Sequence, residues 1–324
     1  MQNKKMRMGN LNCVFKGSKV NGFFELWGDF TNRVFLDRIE YPSYKTPRFT
    51  LHSVKINDNI HGQSVIYGRF VKITVLDIDQ EYKNGKLINV DKHIDSAPSS
   101  IFVYNIKNHI LLYLREHKGA PTIQQFISYF TARVDNERQK QITHLVETGV
   151  NIKDAELMVG RADVSYTGLV SLTKLDDVFR KVSSISDLHI VTRLQNGNID
   201  IDGLIGSNQQ ALRRMLAKKA DIKYTYIKSV EGVQEVVKKV SENGAAEFKF
   251  IASMYDGKKR TVKNNDLQID PIVDYDPNRD VAQNVSAIVE EYTSLQNIKE
   301  IPYSETTTSQ SVIDDICKTP SKNE

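Results

Sequence analysis

The residues best suited to chemistry lie in a basic helix predicted at 207–220, SNQQALRRMLAKKA. At 100° per residue the apolar side chains fall on one side of this helix and the cations spread over the other. We expect Arg213, Arg214 and Lys218 on the exposed side, with Lys219 at the frayed end. Cationic groups along one helix face can contact successive phosphates, so this pattern points to nucleic-acid binding.

Further cations continue this basic segment. Lys223 follows the helix, and Lys258, Lys259 and Arg260 cluster at a predicted hairpin turn. Together with the four cations of the helix, these are the residues that we predict to contact DNA. The alternative interpretation is that they are ordinary solvated helix faces and loop tips, because basic surfaces are common in folded proteins.

The distribution of charge is uneven although the net charge is only +4. Residues 205–263 carry 13 Lys and Arg against 6 Asp and Glu, whereas residues 264–324 carry 4 against 12. A basic segment followed by an acidic one indicates a polyanion partner, or a basic surface that meets an acidic one. A non-catalytic interaction module, whose basic segment meets its own acidic tail or a partner's acidic surface, is therefore an alternative.

A second alternative is a metal-dependent nuclease. Glu247 and Lys249 lie two residues apart on a predicted strand, and Asp221 upstream would complete a D…E-x-K pattern. The two carboxylates would hold Mg²⁺, which would activate a water molecule for phosphodiester attack. Strand alternation also produces E-x-K by chance, so we expect a protein that is not an enzyme.

The sequence gives no support for a metal or cofactor site, for a disulfide-bonded protein or for a membrane or exported protein. None of the seven histidines lies at metal-ligand spacing from another His or Cys, so we expect neither a metal nor a cofactor. Cys13 and Cys317 lie near opposite ends of the chain, which is not a disulfide framework. No apolar segment of signal-peptide or membrane-spanning type is visible, so we expect a cytoplasmic protein without membrane insertion.

The element that must position these residues is a hairpin with its covering helix. Two short, nearly continuous apolar runs within 99–115 predict neighbouring strands that are buried on both faces. Pro121 opens a helix over 121–145. The apolar stripe of this helix is Ile123, Phe126, Ile127, Phe130 and Val134.

The recurrence of hairpin turns among strands and helices favours an α+β fold over a doubly wound parallel sheet. We expect antiparallel sheets with helices packed on them, in two subdomains. Residues 1–150 would form a strand-rich α+β domain around the hairpin, and residues 151–300 a second α+β domain containing the basic helix. Residues 301–324 would be a disordered acidic tail.

Two parts of the chain resemble known bacterial proteins. The following residues resemble a family of small phage-related proteins: Gly68-Arg69-Phe70, Ser96-Ala97-Pro98-Ser99-Ser100-Ile101-Phe102, Asn108-His109, Tyr113, Ala120-Pro121 and Phe126. The order of elements and the placement of charge over residues 155–297 resemble the RexA/RdgC-like phage-exclusion family. The resemblance implies sequence-tolerant binding of duplex DNA by a homodimer in phage exclusion or abortive infection, with a second defence protein as a further partner. No DNA-contacting residue is carried over by motif.

Overall fold

The computed structural model describes residues 2–37, 48–195, 204–301 and 308–320, which form two antiparallel sheets with helices packed on them. The α+β prediction is confirmed. The strands are β1 (Gln2–Lys16), β2 (Val20–Gly22), β3 (Arg48–Ile60), β4 (Gln63–Lys83), β5 (Lys86–Ser96), β6 (Ser99–Asn105), β7 (Ile110–Arg115), β8 (Arg161–Gly168), β9 (Val182–Arg193), β10 (Lys219–Thr225), β11 (Ala246–Met254), β12 (Lys259–Lys263) and β13 (Ile272–Tyr275).

The helices vary greatly in length. They are α1 (Asn32–Leu36), α2 (Ile123–Glu147), α3 (Ile152–Val159), α4 (Leu172–Phe179), α5 (Leu204–Met215), α6 (Val230–Val240), α7 (Val281–Asn297) and α8 (Gln310–Cys317). Short helical turns over Phe24–Leu26 and Trp27–Thr31 lead into α1. Among the described helices, none is both long and apolar enough to cross a membrane.

The first sheet is built around the predicted hairpin. Its strand order is β13-β1-β7-β6-β4-β3, while β2 and β8 pair with β1 and β5 pairs with β4. Every residue of β6 is buried, and so is every residue of β7 except its last. Leu111 packs into an aromatic cluster with α2 on one face, and Leu112 packs against α7 on the other. The first sheet is therefore a scaffold that is covered on both faces.

Helix α2 begins where its capping residues dictate. Thr122 accepts a hydrogen bond from the backbone N–H of Gln125, and the Gln125 side chain accepts one from the backbone N–H of Thr122. This capping box satisfies two amides of the first turn. Phe126 and Phe130 then follow at helical spacing and are buried in the aromatic cluster. The predicted stripe thus fixes α2 across the first sheet.

The second sheet has the order β10-β9-β11-β12. Residues alternate strictly along its central strands: Phe248 and Phe250 are buried, whereas Lys249 between them is exposed. Val237 of α6 and Leu175 of α4 cover the apolar face. The opposite face, which we call the open face, carries no helix of the described chain.

The two sheets are not divided at residue 150, because segments after this residue also belong to the first sheet. Strand β8 pairs with β1 over eight residues, and β13 pairs with the start of β1. Helix α7 packs on the first sheet as well, through side chains such as Ile288 and Val289. Because β1 is 15 residues long, it has room for four neighbours, and it takes three of its partners from distant segments. The second sheet is thus inserted between strands of the first.

The C-terminal residues 301–324 are predicted to be disordered, and 302–307 and 321–324 lie outside the described residues. The prediction is wrong for the part between them, because residues 310–317 form α8. Ile313 and Ile316 are buried in the aromatic cluster of the first sheet. The indole N–H of Trp27 donates to the Thr319 hydroxyl at 2.9 Å. Two apolar side chains one turn apart are enough to dock this short helix.

Candidate nucleic-acid interface

The predicted basic helix is displaced along the chain. It runs from Leu204 to Met215 rather than over 207–220, and Leu216 ends it with a left-handed backbone (φ of 49°). Lys219 then begins strand β10, which pairs with β9. Lys218 lies in the connection, so neither lysine is part of the helix. Pairing with β9 overrides the helical pattern of the sequence here.

The cations of this segment have neighbours of their own. The Arg213 guanidinium donates to the backbone carbonyl of Gln195 at 3.3 Å. The Lys218 ammonium lies 3.6 Å from a carboxylate oxygen of Asp163, which also binds Lys16 at 2.8 Å. Arg214 is exposed. Consequently, the helix does not present the row of three cations that its sequence predicts.

The open face gathers cations from four strands. The register places the following side chains on it: Lys219, Asp221 and Lys223 of β10; Asp187, His189, Val191 and Arg193 of β9; Glu247, Lys249 and Ile251 of β11; Lys259, Thr261 and Lys263 of β12. Six of these are Lys or Arg and three are Asp or Glu. The open face therefore carries an excess of positive charge.

Part of this charge is balanced within the face. The ion pairs are Lys219–Asp221 at 3.6 Å, Lys223–Asp187 at 3.4 Å and Arg193–Glu247 at 3.7 Å. The Ser186 hydroxyl and the Lys223 ammonium hold the pKa of the Asp187 carboxyl below its ordinary value. These pairs are exposed and contribute little to stability. Two lysines at the centre of the basic edge take part in none of these pairs, although the charge of one of them, Lys249, also helps to lower the pKa of the Asp187 carboxyl.

Those two lysines are Lys249 and Lys263. They lie directly opposite each other on β11 and β12. Among the described residues neither forms an ion pair, and Lys259 further along β12 forms none either. Like charges directly opposite in an antiparallel pair destabilise a sheet. A bound anion would remove that repulsion, so this lysine pair is the strongest anion-binding feature of the open face.

A cleft of about 940 Å³ separates part of the open face from the first sheet. Its other wall is formed by β8 and the first turns of α2. The charged side chains that line it are Arg7, Asp163, Arg193, Lys218, Glu247, Lys249 and Lys263. Cations thus outnumber carboxylates in the lining, and the lysine pair faces into this space.

The predicted DNA-contacting residues are distributed around this surface. Lys219, Lys223 and Lys259 lie on the open face, on its two edge strands. Lys258 is exposed in the turn before β12, and Arg260 bonds Asp256 at 3.4 Å. The structure therefore brings together three of the eight predicted residues, and Arg213 and Arg214 lie apart on α5.

Three cations of the open face were not predicted to contact DNA: Arg193, Lys249 and Lys263. Lys249 alternates with buried Phe248 and Phe250, so the strand pattern shows that it points away from the core. Lys249 and Lys263 lie opposite each other only because of the register between β11 and β12, and no sequence motif predicts that register.

The residues of the nuclease alternative do share the open face. Asp221 and Glu247 both lie opposite Val191, one on each neighbouring strand. Asp221 bonds His189 and lies near Lys219, while Glu247 faces Arg193. Within the described ranges, no group of three or more metal-ligating side chains is assembled. Both carboxylates are thus engaged by cations of their own face.

No family model, curated protein or solved structure matches the chain.

Proposed function

We propose that the chain is a sequence-tolerant binder of double-stranded DNA and that the open face contacts its phosphates. The single observation that carries this proposal is the lysine pair, Lys249 opposite Lys263, in which neither side chain forms a salt bridge within the described chain. A phosphate backbone supplies the negative charge that this pair lacks. Arg193 in the cleft, with Lys219, Lys223 and Lys259 at the edges, extends the positive surface.

The chemistry of these side chains supports binding that tolerates any base sequence. Lysine acts as a flexible point charge that suits phosphate oxygens, and phosphate contacts carry no base information. Arg214, Lys258 and Arg260 are exposed beyond the open face, and they would add contacts if the duplex extends past it. We propose no catalysis, because Asp221 and Glu247 are held by His189 and Arg193.

The resemblance of residues 65–130 and 155–297 to phage-related proteins supports the biological setting. We place the chain in phage exclusion or another anti-phage defence in the bacterial cytoplasm, as a homodimer that acts with a second defence protein. The DNA-binding step is the part of this proposal that the open face supports directly.

The test is a binding assay with labelled nucleic acids of one length: duplexes of three unrelated sequences, single-stranded DNA and duplex RNA, each with and without Mg²⁺. We expect the three duplexes to bind alike, to weaken together as salt rises and to stay intact with Mg²⁺.

Two outcomes would contradict the proposal. Mg²⁺-dependent cutting that disappears in Glu247→Gln would establish the nuclease instead. Absence of binding to every nucleic acid at low salt would favour the protein-interaction module.

A further inference from the structure

Strands β4 and β5 continue far beyond the first sheet as a two-stranded arm. From Thr74 onward, β4 pairs only with β5 within the described residues, and the pairing runs to Lys83 opposite Lys86. Asn84 and Gly85 form the turn at its tip, both with positive φ. Ten residues at about 3.4 Å each make the arm about 34 Å long. A two-stranded ribbon of this kind is at best marginally stable alone.

One face of the arm carries an apolar pair near its base and another near its tip. Leu76 lies opposite Ile94 near the base, and Tyr82 lies opposite Leu87 near the tip. Both pairs occupy even positions of β4, with Ile78 between them, so they share a face. They are 50%, 48%, 73% and 63% exposed in that order. Large apolar side chains exposed on a projecting element mark an interaction site.

The same face of β4 is core inside the first sheet. Ile66 and Phe70, also at even positions, are fully buried in the aromatic cluster. This side of β4 continues past Lys72 and Thr74 into the arm, where Leu76 and Tyr82 are exposed. Exposed apolar residues on the same side as a core are suited to packing against another protein surface.

The charges of the arm argue against a polyanion as the partner that binds its apolar face. The arm carries five carboxylates, Asp77, Asp79, Glu81, Asp91 and Asp95, against three lysines, Lys83, Lys86 and Lys92. Asp77 bonds His93 at 2.7 Å on the opposite face. The one lysine among the apolar pairs, Lys92, turns its ammonium to Glu81. A net negative arm repels phosphates, whereas its neutralised apolar face carries no charge that would repel a second copy.

We propose that this apolar face is the dimer interface and packs against the same face of a second copy. The proposal deepens the proposed function and rests on its homodimer component. A two-fold axis across the middle of the arm lays the Tyr82 and Leu87 end of one copy on the Leu76 and Ile94 end of the other, aromatic against aliphatic. The Gln80 and Asn89 amides in the middle already bond each other at 3.0 Å.

The size of the face sets the strength of the dimer. A ribbon about 34 Å long and about 10 Å wide buries less than the roughly 800 Å² per partner of a standard interface. The dimer therefore forms at micromolar rather than nanomolar concentration, and its dissociation can be followed by sedimentation equilibrium.

The experiment compares two double variants of the full chain. Tyr82→Ser with Leu87→Ser removes the apolar tip, and Val75→Ser with Ile88→Ser removes two exposed apolar residues from the opposite face of the same arm. We expect wild type and the opposite-face variant to reach twice the 36.9 kDa chain mass. We expect the tip variant to dissociate at least tenfold more readily. Leu87→Lys alone provides the same test through an added charge.

The proposal is overturned if wild type stays monomeric at 100 µM, if the tip variant associates like wild type, or if both variants dissociate equally. Binding to a duplex of about 12 base pairs separates this result from the DNA proposal, because about 40 Å of duplex suits one protomer. Loss of the dimer with unchanged binding to this duplex supports both proposals. If the tip variant loses the dimer and neither wild type nor any variant binds DNA, the result supports the arm interface but not the DNA proposal.

Discussion

The two sheets differ in how many of their faces are covered. Leu111 and Leu112 of the first sheet point in opposite directions, and each meets an apolar cluster. Ile190 and Val191 occupy equivalent positions in the second sheet, but only Ile190 faces a cluster. A sheet with both faces packed against other elements must be apolar on both, whereas a sheet with one packed face can carry charged residues on its exposed face. The second sheet is therefore the one that can offer a binding surface.

Charged groups follow the same division. Glu116 is almost fully buried next to the first sheet, and the Arg69 guanidinium, the Ser99 hydroxyl and the Tyr275 hydroxyl all bond its carboxylate. On the open face, the Glu247 side chain is partly exposed and lies 3.7 Å from Arg193. A buried carboxylate requires all its partners because water is absent, while an exposed one does not. Matched substitutions in the two sheets should therefore have very different costs.

The largest difference is expected for a new charge at a central strand. Leu112→Lys places an ammonium where both faces are covered, and we expect it to destabilise the fold by about 5 kcal/mol or more. Ile251→Lys makes a comparable change on the open face and should cost less than about 1 kcal/mol. Urea unfolding followed by circular dichroism measures both. Equal costs would show that the open face is covered.

The next difference concerns the two ion pairs. Arg69→Met leaves the Glu116 carboxylate buried without its cation, so we expect a loss of about 3–5 kcal/mol. Arg193→Met removes the partner of the exposed Glu247 and should cost at most about 1 kcal/mol. The midpoints of chemical unfolding give the two values. A small cost at Arg69 would mean that water reaches Glu116.

A pH effect should arise from the first sheet. His109 stacks on Phe24 with ring centroids 5.1 Å apart, and burial lowers its pKa from 6.5 to about 3. Below pH 6.5 the unfolded chain binds a proton at this site that the folded chain does not, so stability falls as pH falls from 6.5 towards 3. We expect a penalty of roughly 2 kcal/mol at pH 5.

His109→Asn tests this penalty, because asparagine tolerates the positive φ of 58° at this position and does not titrate. The loss of stability between pH 7 and pH 5 should be smaller in the variant than in wild type. Parallel pH profiles for the two proteins would refute the assignment to His109.

The smallest effect is expected on α5. Arg213→Ala, Arg214→Ala and Lys218→Ala together would remove three phosphate contacts if the helix were the DNA surface, a slope change of about 2.7. Because Arg213 and Lys218 are engaged by Gln195 and Asp163, we expect a change of at most about 0.9, from Arg214 alone. Fluorescence anisotropy at several salt concentrations measures it. A slope change near 2.7 would show that α5 is the DNA-binding surface.

The sequence was sufficient to predict the local elements, because their signals are local. The hairpin at 99–115 and the stripe of α2 follow from apolar periodicity, and both are confirmed. The placement of β8 and β13 beside β1 could not be predicted, since a strand's partner is chosen by tertiary packing across more than 150 residues. The end of α5 was misplaced for the same reason, as pairing with β9 overrides helix propensity.

The candidate site was only partly predictable. Clusters of lysine and arginine show that a segment is basic, but they do not show which cations already have a carboxylate partner. Lys218 lies beside Asp163, which is 55 residues earlier in the chain. Lys249 and Lys263 become a pair only through the register of β11 and β12. Register and long-range ion pairing are properties of the folded chain rather than of any short segment.

The most direct test of the open face is the salt dependence of duplex binding by Lys249→Ala with Lys263→Ala. Removing two phosphate contacts should lower the log–log slope by about 1.8 and weaken binding to every sequence alike. Lys83→Ala with Lys86→Ala is the matched control, because it removes another directly opposed lysine pair, at the tip of the arm. We predict that the control keeps the wild-type slope and affinity. An unchanged slope in Lys249→Ala with Lys263→Ala, or an equal fall in the control, would contradict the assignment of DNA binding to the open face.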